Sequence, residues 1–367
     1  MLFICESHSA VTHTFIRNDI SRISEVMEVN VIDIELVWKK RKFGLRFIYY
    51  VFKLLFLFIK NPETWGYLFS SRYKSNIKAF IITALLLEKN EFINKEDIYR
   101  AHFLGKAAIV ASLLGRLSKS KIEIVCHASD LYMFPKTLIF ILNWATKLEA
   151  INYFGKGFLF SLIGNRGTSK IFLNRNAIDI VDVNSKIKFL EKRNKIQMLS
   201  IARLSAQKDL LFIIDVVVEI LKIAPKLEIE IQIIGEGPER AVINKSIKEN
   251  NLTDHIKLLG SIDNNLIIPY FENCDGFILP CKFSDLNDAD GLPVVFQESL
   301  FLGCPVFCRD SFGVSELIIN NINGIVFNIN DSAIIWASEI LKNINSFDRS
   351  LITKIAIHQF KNISYKK

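Results

Sequence analysis

Residues 196–240 read IQMLSIARLSAQKDLLFIIDVVVEILKIAPKLEIEIQIIGEGPER, and this stretch decides the fold class. A short apolar run (196–202) is followed by a helical run (208–223) and then by a second apolar run (229–235). Strands that are apolar almost throughout are typical of parallel sheets covered by helices on both faces. The stretch therefore predicts a strand–helix–strand unit of a parallel sheet.

The same alternation extends in both directions, and a polar, charged stretch (182–195) that suits a linker divides it into two blocks. The blocks predict an α/β protein of two doubly wound, Rossmann-like domains, residues 1–185 and 186–345, with a C-terminal helix (346–367) that packs back on the first. The other predicted strands are 98–103, 122–128, 171–176, 256–260, 276–281, 305–310 and 324–328, and the other predicted helices are 105–119, 133–148, 238–250, 264–273, 293–302 and 331–343.

The composition limits the partners of the chain. Its formal net charge of +8 favours nucleic acid, phosphate esters or an acidic membrane surface. No zinc, helix–turn–helix or aromatic-basic RNA motif supports nucleic acid. The six cysteines form no C-x-x-C pair, which predicts buried free thiols in a reducing compartment. The first residues do not resemble a signal peptide, so we expect a cytoplasmic protein.

The segment 36–60 carries seven cations and many aromatic residues, with no acidic residue from 36 to 62. Its uncharged apolar runs are six residues each, whereas a membrane-spanning helix needs about 20. Two interpretations stay open: a helix lying on the cytoplasmic face of an anionic membrane, or a core helix with a solvated basic edge. The membrane interpretation assigns surface contact to Lys39, Lys40, Arg41 and Lys42, and apolar insertion to Phe43, Phe47, Tyr50, Phe52 and Phe56.

A second informative stretch is DADGLPVVFQESLFLGCPV (288–306). Pro293 suits the first position of a helix, and Gly303 suits its end. The start of this helix lies at the carboxyl ends of the strands, where free N–H groups bind anions. With Asp290 before the helix and Glu298 within it, the arrangement fits a phosphate flanked by two sets of hydroxyls. A sugar nucleotide has that layout.

Two further motifs of the second block agree with this ligand. Arg203 and Lys208 follow a strand and can neutralise a diphosphate leaving group. Gly235 and Gly237 end the next strand and permit close backbone approach. The acidic triplet 288–290 formally fits a D-x-D metal motif, but the two cations already supply charge to the phosphates. We therefore expect no metal ion and no other cofactor.

These motifs, in this order and spacing, resemble the donor domain of the family-4 glycosyltransferases, which are retaining enzymes of the GT-B fold with two domains facing a central cleft. The resemblance implies that Arg203 and Lys208 hold the diphosphate, that Glu298 takes the ribose and that Asp290 faces the transferred sugar. It rests on Arg203, Lys208, the G-x-G-P-x-R element at 235–240, the acid–x7–acid motif from Asp290 to Glu298, GVSELI (313–318) and NG (323–324). The donor-binding set that it implies is Arg203, Lys208, Gly235, Gly237, Gly291, Leu292, Pro293, Val294 and Glu298.

The first block is similar to the same family more faintly, through VTHTFIRNDISRI (11–23), YRAHFLGKAAIVA (99–111) and VCHASDLY (125–132). The resemblance makes His127 an active-site histidine on the acceptor side, with Asp130 nearby and His102 as a further candidate. It implies catalytic roles for His127, Asp290, Arg203 and Lys208. The donor is then a UDP- or GDP-sugar, and the acceptor is a glycan or lipid-linked glycan of cell-surface polysaccharide synthesis.

Some positions depart from the family pattern, and other functions stay open. Asp290 stands where Glu is usual, and Asp209 follows Lys208 where Gly is common. These departures motivate a catalytically inactive GT-B protein that binds nucleotide or glycan. A basic membrane- or nucleic-acid-binding protein is the alternative from another class, and the acid–x7–acid spacing disfavours a GT-B epimerase.

Overall fold

The computed structural model describes residues 1–6, 14–61, 64, 73–89, 97–127, 131, 139–175, 195–282, 292–311 and 313–361. The chain divides into two compact units, Met1–Ala177 and Ile178–Lys367. The predicted linker and the domain boundary predicted at 185/186 fall almost entirely within 176–194, outside the described residues.

The first unit contains a six-stranded parallel sheet in the order β2-β1-β3-β4-β5-β6. The order reverses between β1 and β3, so the crevice of a doubly wound sheet lies at their carboxyl ends. The strands are β1 (Leu2–Cys5), β2 (Asn30–Asp33), β3 (Ile98–His102), β4 (Lys121–Cys126), β5 (Lys147–Ala150) and β6 (Ile171–Leu173). The helices are α1 (Thr14–Ser24), α2 (Ile34–Lys39), α3 (Phe47–Lys60), α4 (Tyr73–Lys89), α5 (Lys106–Ser118), α6 (Ile139–Trp144) and α7 (Tyr153–Ile163).

One predicted element of the first unit is wrong. The helix predicted over 133–148 includes α6, but its last residues belong to β5, which starts at Lys147. The sequence KLEA (147–150) indicates a helix, because two of its four residues are charged. It nevertheless pairs with β4 and β6 as a strand, and the buried charge of Glu149 is balanced by Arg100 on β3, 2.5 Å away.

The second unit contains a second six-stranded parallel sheet, in the order β12-β11-β10-β7-β8-β9. Numbered from its own first strand this is the Rossmann order, with its switch point between β7 and β10. The strands are β7 (Lys195–Ile201), β8 (Glu228–Ile234), β9 (Ile256–Gly260), β10 (Gly276–Leu279), β11 (Val306–Arg309) and β12 (Gly324–Phe327). The helices are α8 (Leu210–Ile223), α9 (Arg240–Glu249), α10 (Ile268–Asn273), α11 (Val294–Phe301), α12 (Ala333–Asn343) and α13 (Arg349–Lys361).

The last helix belongs to the core of the second unit. Ile352, Ala356 and Phe360 on α13 are buried in the same apolar cluster as the strands of that sheet. Arg349 donates hydrogen bonds to the carbonyls of Cys274 and Phe271, at 2.6 and 2.8 Å. The buried face of this helix thus packs within the second unit, and the expectation that the segment packs back on the first domain stays a prediction.

The predicted fold class is confirmed, since both units are α/β domains built on doubly wound parallel sheets. The prediction of free thiols is also confirmed, because all six cysteines are buried and unpaired in disulfides. Among the described residues, no helix is both long and apolar enough to cross a bilayer.

Candidate active site

The loop that carries Arg203 follows β7 at the switch point of the second sheet. Arg203 is exposed, and the backbone around it is held by β8: the Ala202 amide bonds the Ile234 carbonyl at 3.0 Å, and the Leu204 amide bonds the Glu236 carbonyl at 2.9 Å. The predicted cation therefore projects from a fixed loop at the carboxyl edge of the sheet.

The two glycines after β8 fit against this loop. A Cβ on Gly235 would lie 1.9 Å from the Ala202 carbonyl oxygen, and a Cβ on Gly237 would lie 2.3 Å from that of Leu204. Gly235 also has a φ of +142°, which side chains rarely adopt. The close approach predicted from the G-x-G spacing is thus an approach to the Arg203 loop. Contact of the glycines with a donor stays a prediction.

Lys208 ends a short 3-10 turn, Ala206–Lys208. The residues after β10 hold this turn in place: the Cys281 amide bonds the Lys208 carbonyl at 3.3 Å, and the Lys282 amide bonds the Gln207 carbonyl at 2.8 Å. The half-buried Lys208 therefore lies where the ends of β7 and β10 meet, which is the place where doubly wound sheets bind ligands.

Asp209, the departure noted from the family pattern, has a structural role. Its φ of +50° and ψ of +42° lie in the left-handed region, which explains why glycine suits this position and why aspartate is tolerated. Its carboxylate is buried and accepts from Arg309 at 2.5 Å and from Lys282 at 2.8 Å. Asp209 thereby ties the turn of Lys208 to the end of β11.

Replacing Asp209 by glycine is expected to destabilise the protein by about 2 kcal/mol, because a buried Arg309 loses its partner while backbone strain of about 1 kcal/mol is relieved. The measurement is urea unfolding. Asp209→Asn is the matched control, since it tolerates the same backbone conformation and keeps an acceptor for Arg309, and its loss should be smaller. A glycine variant as stable as the wild type would contradict this role.

Helix α11 places Glu298 just above its first turn. Pro293 has a ψ of 127° and immediately precedes the helix, so its predicted place as the first helical residue is wrong by one position. Gly303, with a φ of +70°, follows the end of the helix. The binding of a phosphate by the first-turn amides stays a prediction. Leu292 and Pro293 are buried and Val294 is half-buried. Asp290 and Gly291 lie outside the described residues.

The carboxyl group of Glu298 is in an unusual environment. Burial raises its pKa to about 7, although a hydrogen bond with the Asn264 side chain acts in the opposite direction. A carboxyl group that titrates near neutrality in such a crevice is a recognised mark of a functional site. Glu298 is therefore equipped to accept ligand hydroxyls at neutral and higher pH and to lose that ability in acid.

The first unit contains a buried ionic cluster that the sequence did not predict. Arg100 on β3 contacts three carboxylates: Asp19 at 2.9 Å, Glu123 at 2.9 Å and Glu149 at 2.5 Å. Burial alone would raise the pKa of Glu149, but Arg100 and Lys147 lower it to about 2. The cluster thus ties β3, β4 and β5 to α1 through Arg100.

His127 and His102 are brought together beside this cluster. His102 ends β3 and His127 follows β4, and the His102 Nδ1 lies 3.0 Å from the His127 Nε2. The His102 Nε2 lies 2.9 Å from Asp19 Oδ2. Both rings are 5% exposed, so they form a buried pair at the carboxyl edge of the first sheet. Asp130 lies outside the described residues.

A match to a known protein family falls within the second unit. Residues 182–353 match the family described as glycosyl transferases group 1. Arg203, Lys208 and Glu298 all lie within the matched residues.

Several curated proteins are similar in sequence. The amylovoran biosynthesis glycosyltransferase AmsK of Erwinia amylovora is 31% identical over 42% of this chain and 37% of its own length. The putative colanic acid biosynthesis glycosyltransferase WcaL of Salmonella typhimurium is 24% identical over 71% and 64%. An N-acetylgalactosaminyltransferase of Campylobacter jejuni, named for a diphospho-undecaprenol substrate, is 28% identical over 61% and 60%. The chain thus spans less than two thirds of each of these relatives.

A solved structure is similar along nearly the whole chain. HepE from Anabaena, in complex with UDP and glucose, gives a TM-score of 0.66 at 15% identity, covering 99% of this chain and 94% of HepE. At this identity the likeness concerns the fold alone, and it agrees with two Rossmann-like domains of the GT-B type.

Proposed function

We propose that the protein is a retaining glycosyltransferase that moves a sugar from a UDP- or GDP-sugar to a glycan or lipid-linked glycan in cell-surface polysaccharide synthesis. The observation that carries the proposal is that Arg203 and Lys208 follow β7, Glu298 lies on the helix after β10, and these two strands are neighbours at the switch point of the second sheet. The names of AmsK and WcaL support the polysaccharide assignment, and the bound UDP and glucose of HepE support the donor class.

In this reaction the bond between the anomeric carbon and the diphosphate oxygen breaks, and its electron pair leaves with the diphosphate. Arg203 and Lys208 meet the negative charge that develops on the leaving group. The acceptor hydroxyl forms the new bond to the anomeric carbon, and its proton passes to the departing diphosphate oxygen. Glu298 holds the ribose, and His127 acts at the acceptor side.

Retention is tested by the anomeric configuration of the product. Proton NMR of the first product formed should give the coupling constant of the same anomer as the donor. The opposite anomer would overturn the retaining assignment while leaving the transferase assignment in place. Binding of nucleotide sugar without any product would favour the inactive binding protein.

Activity is expected to be independent of divalent cations, because two side-chain cations and the start of α11 serve the diphosphate. Product formation should continue at the same rate in excess EDTA. Loss of activity in EDTA that Mn²⁺ restores would instead assign a metal site to the acidic triplet at 288–290.

We further propose that the enzyme binds the cytoplasmic face of an anionic membrane through α3 and the residues before it. Leu54 and Phe58 on α3 are buried in the core of the first unit, as the core interpretation predicts. The opposite face is not covered by the described residues of this unit. Its exposed apolar side chains are Ile48 (65%), Tyr49 (62%), Phe52 (64%), Phe56 (55%) and Ile59 (62%), with Phe43 (60%) and Leu45 (102%) before the helix.

The charges around this face favour an anionic lipid surface as its partner. All seven cations of the segment are exposed: Lys39, Lys40, Arg41, Lys42, Arg46, Lys53 and Lys60. Glu88 accepts hydrogen bonds from the Gly44 and Arg46 amides, both at 3.0 Å, and so holds the loop in place. An apolar helix face framed by cations is the pattern of helices that lie in a membrane interface.

Of the aromatic residues expected to insert into the membrane, some are exposed and others face the core of the first unit. Phe43, Phe52 and Phe56 are exposed as required. Phe47 and Tyr50 are half-buried and pack against the core of the first unit, so their assignment to membrane insertion is wrong. One face of the helix thus fits the core interpretation, and the other face supports the membrane proposal.

Binding to vesicles is expected to need both charge and the exposed face. The protein should sediment with phosphatidylglycerol vesicles at low salt, less at high salt, and less with neutral vesicles. Changing Lys39, Lys40, Arg41 and Lys42 to Glu should release it, since each basic residue near the surface contributes about 1 kcal/mol.

The matched control makes the same charge change on exposed lysines of the second unit: Lys222, Lys226, Lys248 and Lys354. This variant should still sediment. Wild-type protein that stays in the supernatant with anionic vesicles would end the membrane proposal. Equal release of both variants would mean that the net charge of the protein, and not the segment before α3, controls vesicle binding.

A further inference from the structure

Two of the buried cysteines lie in direct contact in the second unit. The Cys274 Sγ lies 3.2 Å from the Cys304 Sγ, at hydrogen-bonding distance. Cys274 is 3% exposed and Cys304 is 0% exposed. Cys274 lies two residues before β10, and Cys304 lies two residues before β11. Because β10 and β11 are neighbouring parallel strands, the pair lies at the amino edge of the sheet, away from the carboxyl edge that carries Lys208.

The backbone on both sides of this contact is held by other residues. Arg349 donates hydrogen bonds to the Cys274 carbonyl at 2.6 Å and to the Leu302 carbonyl at 3.1 Å, so one guanidinium holds both segments. The Cys304 amide bonds the Ser299 carbonyl at 2.9 Å, and the Ser299 hydroxyl bonds the Cys304 carbonyl at 2.9 Å. The fold therefore keeps the two sulfurs next to each other.

The contact is close to the geometry of a covalent bond between the sulfurs. A disulfide joins its sulfurs at about 2.0 Å, so the two atoms need to approach by about 1.2 Å. The register that pairs Phe277 with Val306 leaves Cys274 one position short of directly opposite Cys304. Neighbouring strands lie about 4.8 Å apart, which suits the Cα separation of about 4.4–6.8 Å that disulfides span. Rotation of the two side chains can then close the remaining gap.

A cavity gives small molecules access to Cys274. Its volume is about 210 Å³, and its lining includes Gln197, Gln232, Tyr270 and Cys274. Since one water molecule needs only about 10–15 Å³ of such space, a small uncharged oxidant such as hydrogen peroxide fits. Such an oxidant meets Cys274 first, because Cys304 is fully buried.

The surroundings of the pair give the two thiols different properties. Burial raises the pKa of Cys274. Burial also opposes ionisation of Cys304, but the hydrogen bond with Cys274 and the positive charge of Arg349 outweigh it and lower the pKa, although Asp275 acts against them. Since the thiolate is the attacking form of a cysteine, Cys304 is suited to attack a Cys274 sulfur that has already been oxidised.

We propose that Cys274 and Cys304 form a reversible oxidation site, at which hydrogen peroxide converts the two thiols into a disulfide. The Cys274 sulfur attacks one peroxide oxygen, the O–O bond breaks, and the thiol proton leaves with the other oxygen as water. The Cys304 sulfur then attacks the Cys274 sulfur and the S–O bond breaks. The proton that Cys304 gives up leaves with that oxygen as a second water. The thiols lose two electrons in all, and the peroxide takes them up.

The bond would cross-link a segment that the proposed donor site uses. The chain between the two cysteines contains β10 and α11, and α11 carries Glu298. In a reducing compartment such a disulfide is transient and senses oxidants. Because a cross-link restricts the unfolded chain, the oxidised protein should unfold at a higher urea concentration than the reduced protein, and Cys304→Ser should show no such shift. The proposal does not depend on sugar transfer, since no readout needs a donor.

Disulfide mapping tests the proposal. Reduced, folded protein is treated with hydrogen peroxide, unfolded in iodoacetamide, digested with trypsin and analysed by mass spectrometry without reduction. The two linked peptides should weigh two hydrogen atoms less than the sum of the free peptides, and dithiothreitol should separate them. Trypsin leaves Cys274 with Cys281 and Cys304 with Cys308, so fragmentation of the linked peptides must assign the bond.

Three variants complete the test. Cys304→Ser should stop the reaction at the Cys274 sulfenic acid, which dimedone labels, and Cys274→Ser should form no link. Cys308→Ser is the matched control, because it removes another buried thiol of the same unit, and it should form the link as the wild type does. The proposal is overturned if the bond joins Cys281 to Cys308, or if Cys274 and Cys304 both stay reduced in peroxide-treated wild-type protein.

Discussion

Replacing Lys208 by alanine is expected to lower turnover on the order of 10²-fold or more, which corresponds to about 3 kcal/mol of lost stabilisation of the leaving group. The expectation follows from the place of Lys208, where hydrogen bonds from Cys281 and Lys282 hold its turn at the switch point of the second sheet. A preorganised cation stabilises developing charge because no reorganisation is needed during the reaction. The measurement is steady-state release of nucleoside diphosphate with saturating donor and acceptor.

Lys222→Ala is the matched control for this variant. Lys222 lies near the end of α8 in the same unit, its side chain is 65% exposed, and its contact is a surface pair with Glu219. The Lys222→Ala variant removes the same charge at a place away from the switch point, so its turnover should stay at the wild-type level. If the Lys208 variant also keeps wild-type turnover, its role at the diphosphate is refuted.

Glu298→Gln is expected to weaken donor binding about 10- to 100-fold at pH 8, because hydrogen bonds from ribose hydroxyls to a carboxylate contribute about 1.5–3 kcal/mol. Since burial raises the pKa of Glu298 to about 7, wild-type affinity should fall as the pH is lowered through 7. The variant should bind equally weakly across this range. Titration calorimetry with the donor measures both, and a wild-type affinity that does not change between pH 8 and pH 5.5 would contradict the assignment.

The same pKa makes an independent prediction about stability. A carboxyl whose pKa is raised by folding favours the folded state while it is protonated, and that contribution is lost as the pH rises through about 7. The Gln variant stays neutral at every pH. Its urea midpoint should equal that of the wild type at pH 5 and exceed it at pH 8, which also excludes misfolding as the cause of weak binding.

Most of the parallel architecture was predictable from sequence, because strands buried on both faces read as apolar runs between helices. The runs that became β7, β8 and β10 are of this kind. The strand β5 was missed for the opposite reason. Its Glu149 is buried through a charge on another strand, and a sequence pattern that tracks hydrophobicity does not detect a buried charge.

The candidate site was predictable to a similar extent. Arg203 and Lys208 follow β7, and Glu298 lies on the helix after its neighbour β10. Their joint action on a donor stays a prediction. The groups near His127 could be predicted from the sequence only in part. His102 was a candidate. The ion pair of Asp19 and Arg100 was not predicted, because the two residues are 81 positions apart in sequence. The one sign of it in the sequence is an arginine inside an apolar strand.

The role of Asp209 could not be predicted from the sequence. Its sequence context marked a departure from a common glycine, which argued for reduced function. The backbone conformation and the ion pairs with Arg309 and Lys282 instead make it a support for the turn of Lys208.

The central claim is that the second unit binds a nucleotide sugar and activates its diphosphate as a leaving group. It is tested most directly by incubating the protein with a panel of UDP-, GDP- and ADP-sugars and measuring the release of nucleoside diphosphate. We predict release from UDP- or GDP-sugars of one sugar type, in the presence of EDTA, and its loss in the Lys208→Ala variant. Folded wild-type protein that neither binds nor cleaves any sugar nucleotide of the panel would contradict the account.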